Sequence, residues 1–349
     1  MKSLRVMVVD DSAYNRRTLT ELLEQIPGVV VAGKATDGDE ALRMVQEVQP
    51  DLVTLDLEMP RMDGFTFLRL LMARRPTPVI VVSGYSNKEN VFRALELGAL
   101  DFVAKPTRTV TTDLHVIKEE LAEKVAMVRQ LTPSLGARRR VLTPVPPRAL
   151  SALRPEPRTT TDRPRHVVVV GASTGGPTAL VRLFRNIPQD IDATFLVAQH
   201  MPPRFTRTFA ERLHRLGGVQ VQEATGSHPL KRGEAWICPG GKCLEVGLDL
   251  QVVVKDTEPD DRYVPSVDRL FETAAKKLGE QCIGVVLTGM GDDGADGVLH
   301  IARRGGRVLA ESPESAVIYG MPGAAERTGV VTAMLPLETL AERLVMWLR

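Results

Sequence analysis

The chain has 349 residues, of which 43% are hydrophobic and 25% charged, with a formal net charge of +2. That length suggests two domains with a core each, and the near-neutral balance argues against an overall polyanion binder. No apolar run approaches the roughly 18–20 residues that span a bilayer, and Cys238, Cys243 and Cys282 form an odd set without CxxC spacing, as expected of a reduced cytoplasmic protein.

The N-terminus, MKSLRVMVVDD, is a short apolar run ending in two aspartates, which suits a buried strand rather than a signal peptide. It opens a repeating unit of apolar strand, loop and amphipathic helix over residues 1 to about 130. The expected strands are LRVMVVD (4–10), VVVAG (29–33), DLVTLD (51–56), PVIVVS (78–83) and DFVAK (101–105). Near-continuous apolar runs alternating with helices predict a parallel sheet covered on both faces. In such a sheet the carboxyl ends of the strands share one edge, where ligands bind. Asp10 and Asp11 end the first strand, Asp56 the third, Ser83 the fourth and Lys105 the fifth. Three carboxylates converging there call for a hard cation such as Mg²⁺ between them. Asp56 would then attack phosphorus, with Lys105 and the Ser83 hydroxyl serving the phosphoryl oxygens.

The set VVDDS, LDLEMPRMDG, VVSG and AKP, in that order, closely resembles the two-component response-regulator receiver domain. The resemblance covers essentially residues 1–125 and implies a flavodoxin-like fold. It also implies phosphotransfer from a histidine kinase to Asp56, Mg²⁺ held by Asp10 or Asp11 together with Asp56, and Ser83 and Phe102 as the switch pair. Gly84, where alanine is commoner, is a small departure.

Residues 132–165 carry seven prolines and eight arginines against two acidic residues. This composition predicts an exposed, semi-stiff linker, so that 126–165 comprises a helix end and a linker. A second α/β domain is expected from 166 to 349. Its strands are HVVVVGA, ATFLVAQH, GEAWICP, LQVVVK, CIGVVLTG and GRVLAE, with helices such as PTALVRLFRNI and VDRLFETAAKKL between them.

The chemistry of this second domain turns on GASTGG (171–176). The stretch fails both G-x-G-x-x-G and G-x-x-x-x-G-K-[ST], so neither phosphate-cradle template applies. Its glycines still permit a tight strand-to-helix turn with backbone N–H groups able to bind an oxyanion. Ser173 as a nucleophile requires a base and an orienting carboxylate. Of six histidines, His200 directly ends a strand candidate, as Ser173 does. His115, His214 and His300 fall in helices, His166 begins a strand and His228 lies in a loop. LTGMGDDGADG (287–297) puts Asp292 and Asp293 in a glycine-rich turn at the same sheet edge. Alone it would pass for a calcium loop, but its spacing departs from the EF-hand pattern. There is no G-x-S-x-G elbow, so an ordinary α/β-hydrolase is disfavoured.

GASTGGP, AQHMP, PSVDRLF, LTGMGDDGADG and SAVIYGMP together resemble the chemotaxis protein-glutamate methylesterase catalytic domain, over about 166–345. The resemblance implies a Rossmann-like domain with Ser173 as nucleophile, His200 as general base and Asp293 as orienting acid. It assigns an oxyanion role to the Met290 backbone N–H and a supporting one to Thr174, with no cofactor at this site. The implied activity is demethylation of glutamate methyl esters on chemoreceptor helices, and glutamine deamidation at some positions. Cys243, where many relatives have histidine, and ESPES (311–315), in place of a glutamine-aspartate-glutamate run, depart from the pattern. The expected whole is two doubly wound parallel-sheet domains joined by a Pro/Arg-rich linker, without nucleic-acid binding or membrane insertion. A DNA-binding regulator would need a basic recognition helix that the second domain lacks, and a phosphorylation-dependent scaffold is the other alternative. The unphosphorylated receiver is expected to pack over the mouth of the Ser173 site.

Overall fold

The computed structural model describes residues 3–84, 88–105, 111–128, 131 and 163–349. The chain divides into two compact units, residues 1–144 and 145–349. Most of the expected linker lies outside the described residues.

In the first unit β1 (Leu4–Val9), β2 (Val29–Ala35), β3 (Leu52–Leu55), β4 (Val79–Ser83) and β5 (Asp101–Ala104) alternate with five helices. These are α1 (Ala13–Glu24), α2 (Gly38–Val48), α3 (Gly64–Arg74), α4 (Lys88–Glu96) and α5 (Thr111–Val128). The strands form one parallel sheet of order β2-β1-β3-β4-β5. Every residue of β3, β4 and β5 is buried, as a sheet covered on both faces requires. Three helices start on an acceptor side chain: Ser12 takes the Asn15 amide, Asp37 those of Asp39 and Glu40, and Asp63 that of Thr66. The order reverses between β1 and β3, so the crevice of this sheet opens where Asp10, Asp11 and Asp56 stand.

The second unit is built on a seven-stranded parallel sheet. Its strands are β6 (His166–Ala172), β7 (Ala193–Gln199), β8 (Gln220–Glu223), β10 (Glu234–Ile237), β13 (Cys282–Val286), β14 (Arg307–Glu311) and β15 (Ala333–Leu335), in the order β15-β14-β13-β6-β7-β10-β8. Helices α6 (Gly176–Arg185), α7 (Phe205–His214), α8 (Val267–Leu278), α9 (Ala295–Arg303), α10 (Met321–Arg327) and α11 (Leu337–Trp347) complete it. The chain runs from β6 to β7 on one side and returns to place β13 on the other. The switch point therefore lies between β6 and β13, beside Ser173. Val167, Val169, Leu270, Phe271, Val298 and Ile301 are buried in the core that α8 and α9 form with the sheet.

Four strands went unforeseen. β8 (QVQE) and β15 are short and outermost in the sheet, where apolar content is not demanded. The others, β9 (Ser227–Pro229) and β11 (Cys243–Val246), join β12 (Gln251–Lys255) in a separate three-stranded antiparallel sheet. LQVVVK thus forms a strand as expected, but outside the parallel sheet. His228, expected in a loop, lies in β9 and stacks on Trp236 at 4.3 Å between ring centroids. Among the described residues no helix is long and apolar enough to cross a membrane.

Candidate active site and phosphoacceptor site

At the switch point of the first sheet, Asp10, Asp11 and Asp56 offer carboxylate oxygens that lie within 4.8 Å of one another. Asp10 and Asp56 are buried and Asp11 is exposed. Burial pushes Asp56 up to about 6, opposed by Lys105 and reinforced by the Asp10 charge. Asp10 is likewise raised by burial, against the pull of Lys105. Lys105 Nζ bonds Asp56 and lies 3.5 Å from Asp10. An all-oxygen set this compact, short of positive charge and open to solvent through Asp11, fits a hard divalent cation. The backbone closes tightly behind it. A Cβ on Gly64 would lie 2.2 Å from the Asp56 carbonyl oxygen, which accounts for the glycine in PRMDG. Ser83 is buried, with its hydroxyl 3.4 Å from the Gly84 carbonyl. The Phe102 ring is buried, edge-on to Phe92 at 6.4 Å, and Lys124 Nζ donates to the Phe102 carbonyl at 2.6 Å.

In the second unit Ser173, His200 and Asp293 follow β6, β7 and β13, three adjacent parallel strands. The strand ends are locked together: Ser173 N–H donates to the Thr288 carbonyl at 3.1 Å, and His200 N–H to the Ala172 carbonyl at 3.0 Å. His200 Nε2 lies 2.8 Å from Asp293 Oδ2. An ionised carboxylate only accepts, so Nε2 carries the proton and Nδ1 is the basic nitrogen. This reverses the ring orientation of the best-known serine triad, in which Nδ1 faces the acid. Asp293 is 1% exposed and accepts two further bonds, from Val267 N–H at 2.8 Å and Asp268 N–H at 2.9 Å. It therefore sits on the N-terminus of α8, where helix N–H groups and dipole favour an anion. Ser173 is half-buried, and among the described residues its hydroxyl makes no hydrogen bond with the His200 ring. Such bonds often tighten only when substrate is bound.

The Gly289–Met290 peptide passes directly beside Ser173. A Cβ on Gly289 would lie 2.8 Å from Ser173 Cβ and 2.3 Å from Met321 Sδ. The Gly289 carbonyl accepts N–H groups from Gly320 (3.1 Å) and Met321 (2.9 Å), which gives the SAVIYGMP stretch a physical purpose. In a trans peptide the Met290 N–H points opposite to that carbonyl, away from the N-terminus of α10. Thr174 is buried, and its carbonyl accepts the Thr288 hydroxyl at 3.0 Å.

Asp292 faces elsewhere: it takes bonds from Tyr263 Oη at 2.9 Å and Arg262 at 3.1 Å. The Tyr263 ring lies flat against His200, 9° from parallel and 5.3 Å between centroids. Tyr263 had no sequence signal, because it approaches His200 from a loop far away in the chain. Gln199 could have been suspected only as the neighbour of His200. Its side-chain amide donates to the Ser173 carbonyl at 2.8 Å and the His200 carbonyl at 2.9 Å. Glu311, first residue of ESPES, is buried at the end of β14, where it accepts the Thr288 N–H and the Ser315 hydroxyl at 2.8 Å each. Burial raises its pKa. Cys243 is buried in β11 with its thiol raised by burial, which makes it a poor nucleophile. All three cysteines are free thiols.

The family model for the CheB methylesterase matches residues 168–344, and that for the response regulator receiver domain matches 6–115. The chain is 49% identical to the protein-glutamate methylesterase/protein-glutamine glutaminase 6 of Anaeromyxobacter dehalogenans, covering 100% of this chain and 97% of that protein. It is 46% identical to the corresponding enzyme 3 of Geobacter sulfurreducens, over 99% and 97%. Among solved structures, the Thermotoga maritima CheB methylesterase catalytic domain is 35% identical with a TM-score of 0.50, and the match covers 52% of this chain and 98% of that one. With its catalytic unit matched over that length and a receiver ahead of it, the chain belongs to the CheB methylesterase family.

Proposed function

We propose that this protein is a phosphorylation-activated serine hydrolase that removes methyl groups from glutamate γ-methyl esters on chemoreceptor helices, and deamidates glutamines there, in the cytoplasm. The observation that carries this reading is the His200–Asp293 contact of 2.8 Å at the sheet edge where β6 delivers Ser173. His200 Nδ1 takes the Ser173 proton as the serine oxygen bonds to the γ-carbonyl carbon. The Met290 N–H and amides near Ser173 bind the oxyanion, at about 3 kcal/mol per donor. Collapse of the tetrahedral adduct breaks the C–O bond, and methanol leaves with the proton from His200. Water, deprotonated by the same nitrogen, then attacks the acyl-enzyme and releases glutamate and free Ser173. With glutamine the leaving group is ammonia and the remaining steps are the same.

In the receiver, Asp56 accepts the phosphoryl group from a histidine kinase. Asp10, Asp11 and Asp56 would hold Mg²⁺, whose charge neutralises phosphoryl oxygens. Lys105 and the Ser83 hydroxyl turn to the same oxygens, and Phe102 follows Ser83. The unphosphorylated receiver restricts access to Ser173, and phosphorylation relieves the restriction.

The test is methanol release from a methylated chemoreceptor fragment by wild type and Ser173→Ala, each with and without Mg²⁺ and a small phosphodonor. Release that depends on Ser173 and rises with phosphodonor is expected. In the triad setting, loss of the nucleophile lowers kcat by about 10⁶-fold. Release that survives Ser173→Ala would reject the mechanism, and an absence of any release would reject the substrate.

A further inference from the structure

Gln199 is the last residue of β7 and pairs in register with Ala172, the last of β6. The residue is 1% exposed. One amide nitrogen donates to the carbonyls of both Ser173 and His200. These acceptors fix the amide orientation, because the reverse would set its oxygen against two carbonyl oxygens. The oxygen, Oε1, is buried and has no hydrogen-bond partner among the described residues. It also fills the space beside the nucleophile turn: a Cβ on Gly176 would lie 2.1 Å from it. Gly176 in GASTGG is therefore glycine to make room for Gln199, not to cradle a phosphate.

A buried orphan acceptor is a cost that native structures seldom keep without a compensating role. The Ser173 carbonyl already accepts the Gly176 N–H at 2.8 Å, so the Gln199 bond is not needed to satisfy it. What the side chain adds to the backbone bond from His200 N–H to the Ala172 carbonyl at 3.0 Å is a second link, made to the Ser173 and His200 carbonyls themselves. We infer that Gln199 is a positioning residue that sets the Ser173 turn and the His200 turn at a fixed separation through one bifurcated amide. The inference rests on the proposed roles of Ser173 and His200.

Misplacement of reacting groups by about 1 Å costs on the order of a hundredfold in rate. In full-length, phosphodonor-activated protein, Gln199→Leu is thus expected to lower kcat for methanol release by about ten- to a hundredfold with KM within about twofold. Labelling of Ser173 by a fluorophosphonate should slow in parallel. Gln199→Met, flexible enough to occupy the same space without donors, should behave alike and serves if the leucine variant does not fold. Leu344→Ala, on the buried face of α11, supplies a destabilised control whose turnover per folded molecule should stay at the wild-type value. A kcat within twofold of wild type in the folded Gln199 variants, or a loss confined to KM, would overturn the inference alone. Methanol release that persists in Ser173→Ala would overturn the site reading and the inference with it.

Discussion

His200 is gripped at two places, by Asp293 on Nε2 and by the Tyr263 ring against its face. The loop that carries Tyr263 is itself tied down. Arg269 on α8 bonds Asp261 at 2.6 Å and Glu245 at 3.1 Å, and Asp292 takes the Tyr263 hydroxyl. Gly291, at φ +84°, leaves the space that Oη fills, since a Cβ there would lie 2.5 Å from it. In the proposed mechanism His200, on taking the serine proton, becomes a cation beside the electron-rich face of the tyrosine ring. Such a contact is worth about 1–2 kcal/mol, or roughly 5- to 30-fold in rate. Tyr263→Leu should therefore lower kcat/KM by about that factor, and Tyr263→Phe, which keeps the face, by less than about threefold. Steady-state kinetics on both variants decides the matter. Equal losses would move the effect from the ring to the hydroxyl and Asp292.

Between helices, Asp293 is held by an exchange of caps. Asp293 precedes α9 yet accepts the first two amides of α8, while Asp268 on α8 accepts the Gly297 N–H of α9 at 2.7 Å. The helices can trade carboxylates because they cross closely: a Cβ on Gly297 would lie 2.5 Å from Phe271 Cβ. Burial pushes Asp268 up to about 7, and the Asp293 and Asp296 charges add to the rise. A native value above that of the unfolded chain means that folding binds a proton, so this group's contribution to stability falls as pH rises from about 4 through about 7. Asp268→Asn keeps an acceptor for Gly297 and removes the titration. Its thermal midpoint minus that of wild type should become more positive between pH 5 and 8, at about 2–4 °C for each kcal/mol. A difference that is flat with pH would show that Asp268 is not the titrating group. In the sequence PSVDRLF and LTGMGDDGADG are separate stretches, and the strand before the second and the helix in the first are legible from glycine placement and apolar periodicity. The reciprocal caps are not. They join residues 25 and 29 apart in the chain, and no local pattern marks which aspartate faces His200 until the two helices are packed. The same holds for Glu311: the sequence marks ESPES only as a departure from the family pattern, and the burial of Glu311 against Thr288 is set by the packing of β14.

At the scale of the whole chain, the two units have separate sheets and separate sites. In the proposed regulation, phosphorylation of Asp56 changes events at Ser173 by shifting an equilibrium between less and more active states. Where the more active state is rare, a shift of about 1.4 kcal/mol raises its population up to tenfold. The catalytic unit has its own buried core and complete strand order, and the related Thermotoga catalytic domain was solved as a domain by itself. A fragment of residues 166–349 is therefore expected to fold. If the receiver restrains the site, that fragment should release methanol faster than the unphosphorylated full chain, by at least the factor that phosphodonor gives the full chain, and should ignore the phosphodonor. Asp56→Asn in the full chain should stay at the low rate whether or not phosphodonor is added. The comparison separates two modes of control. A fragment faster than the full chain places the receiver as a restraint, whereas equal rates with a preserved phosphodonor response in the full chain would make the phosphorylated receiver an activator that contributes something the fragment lacks.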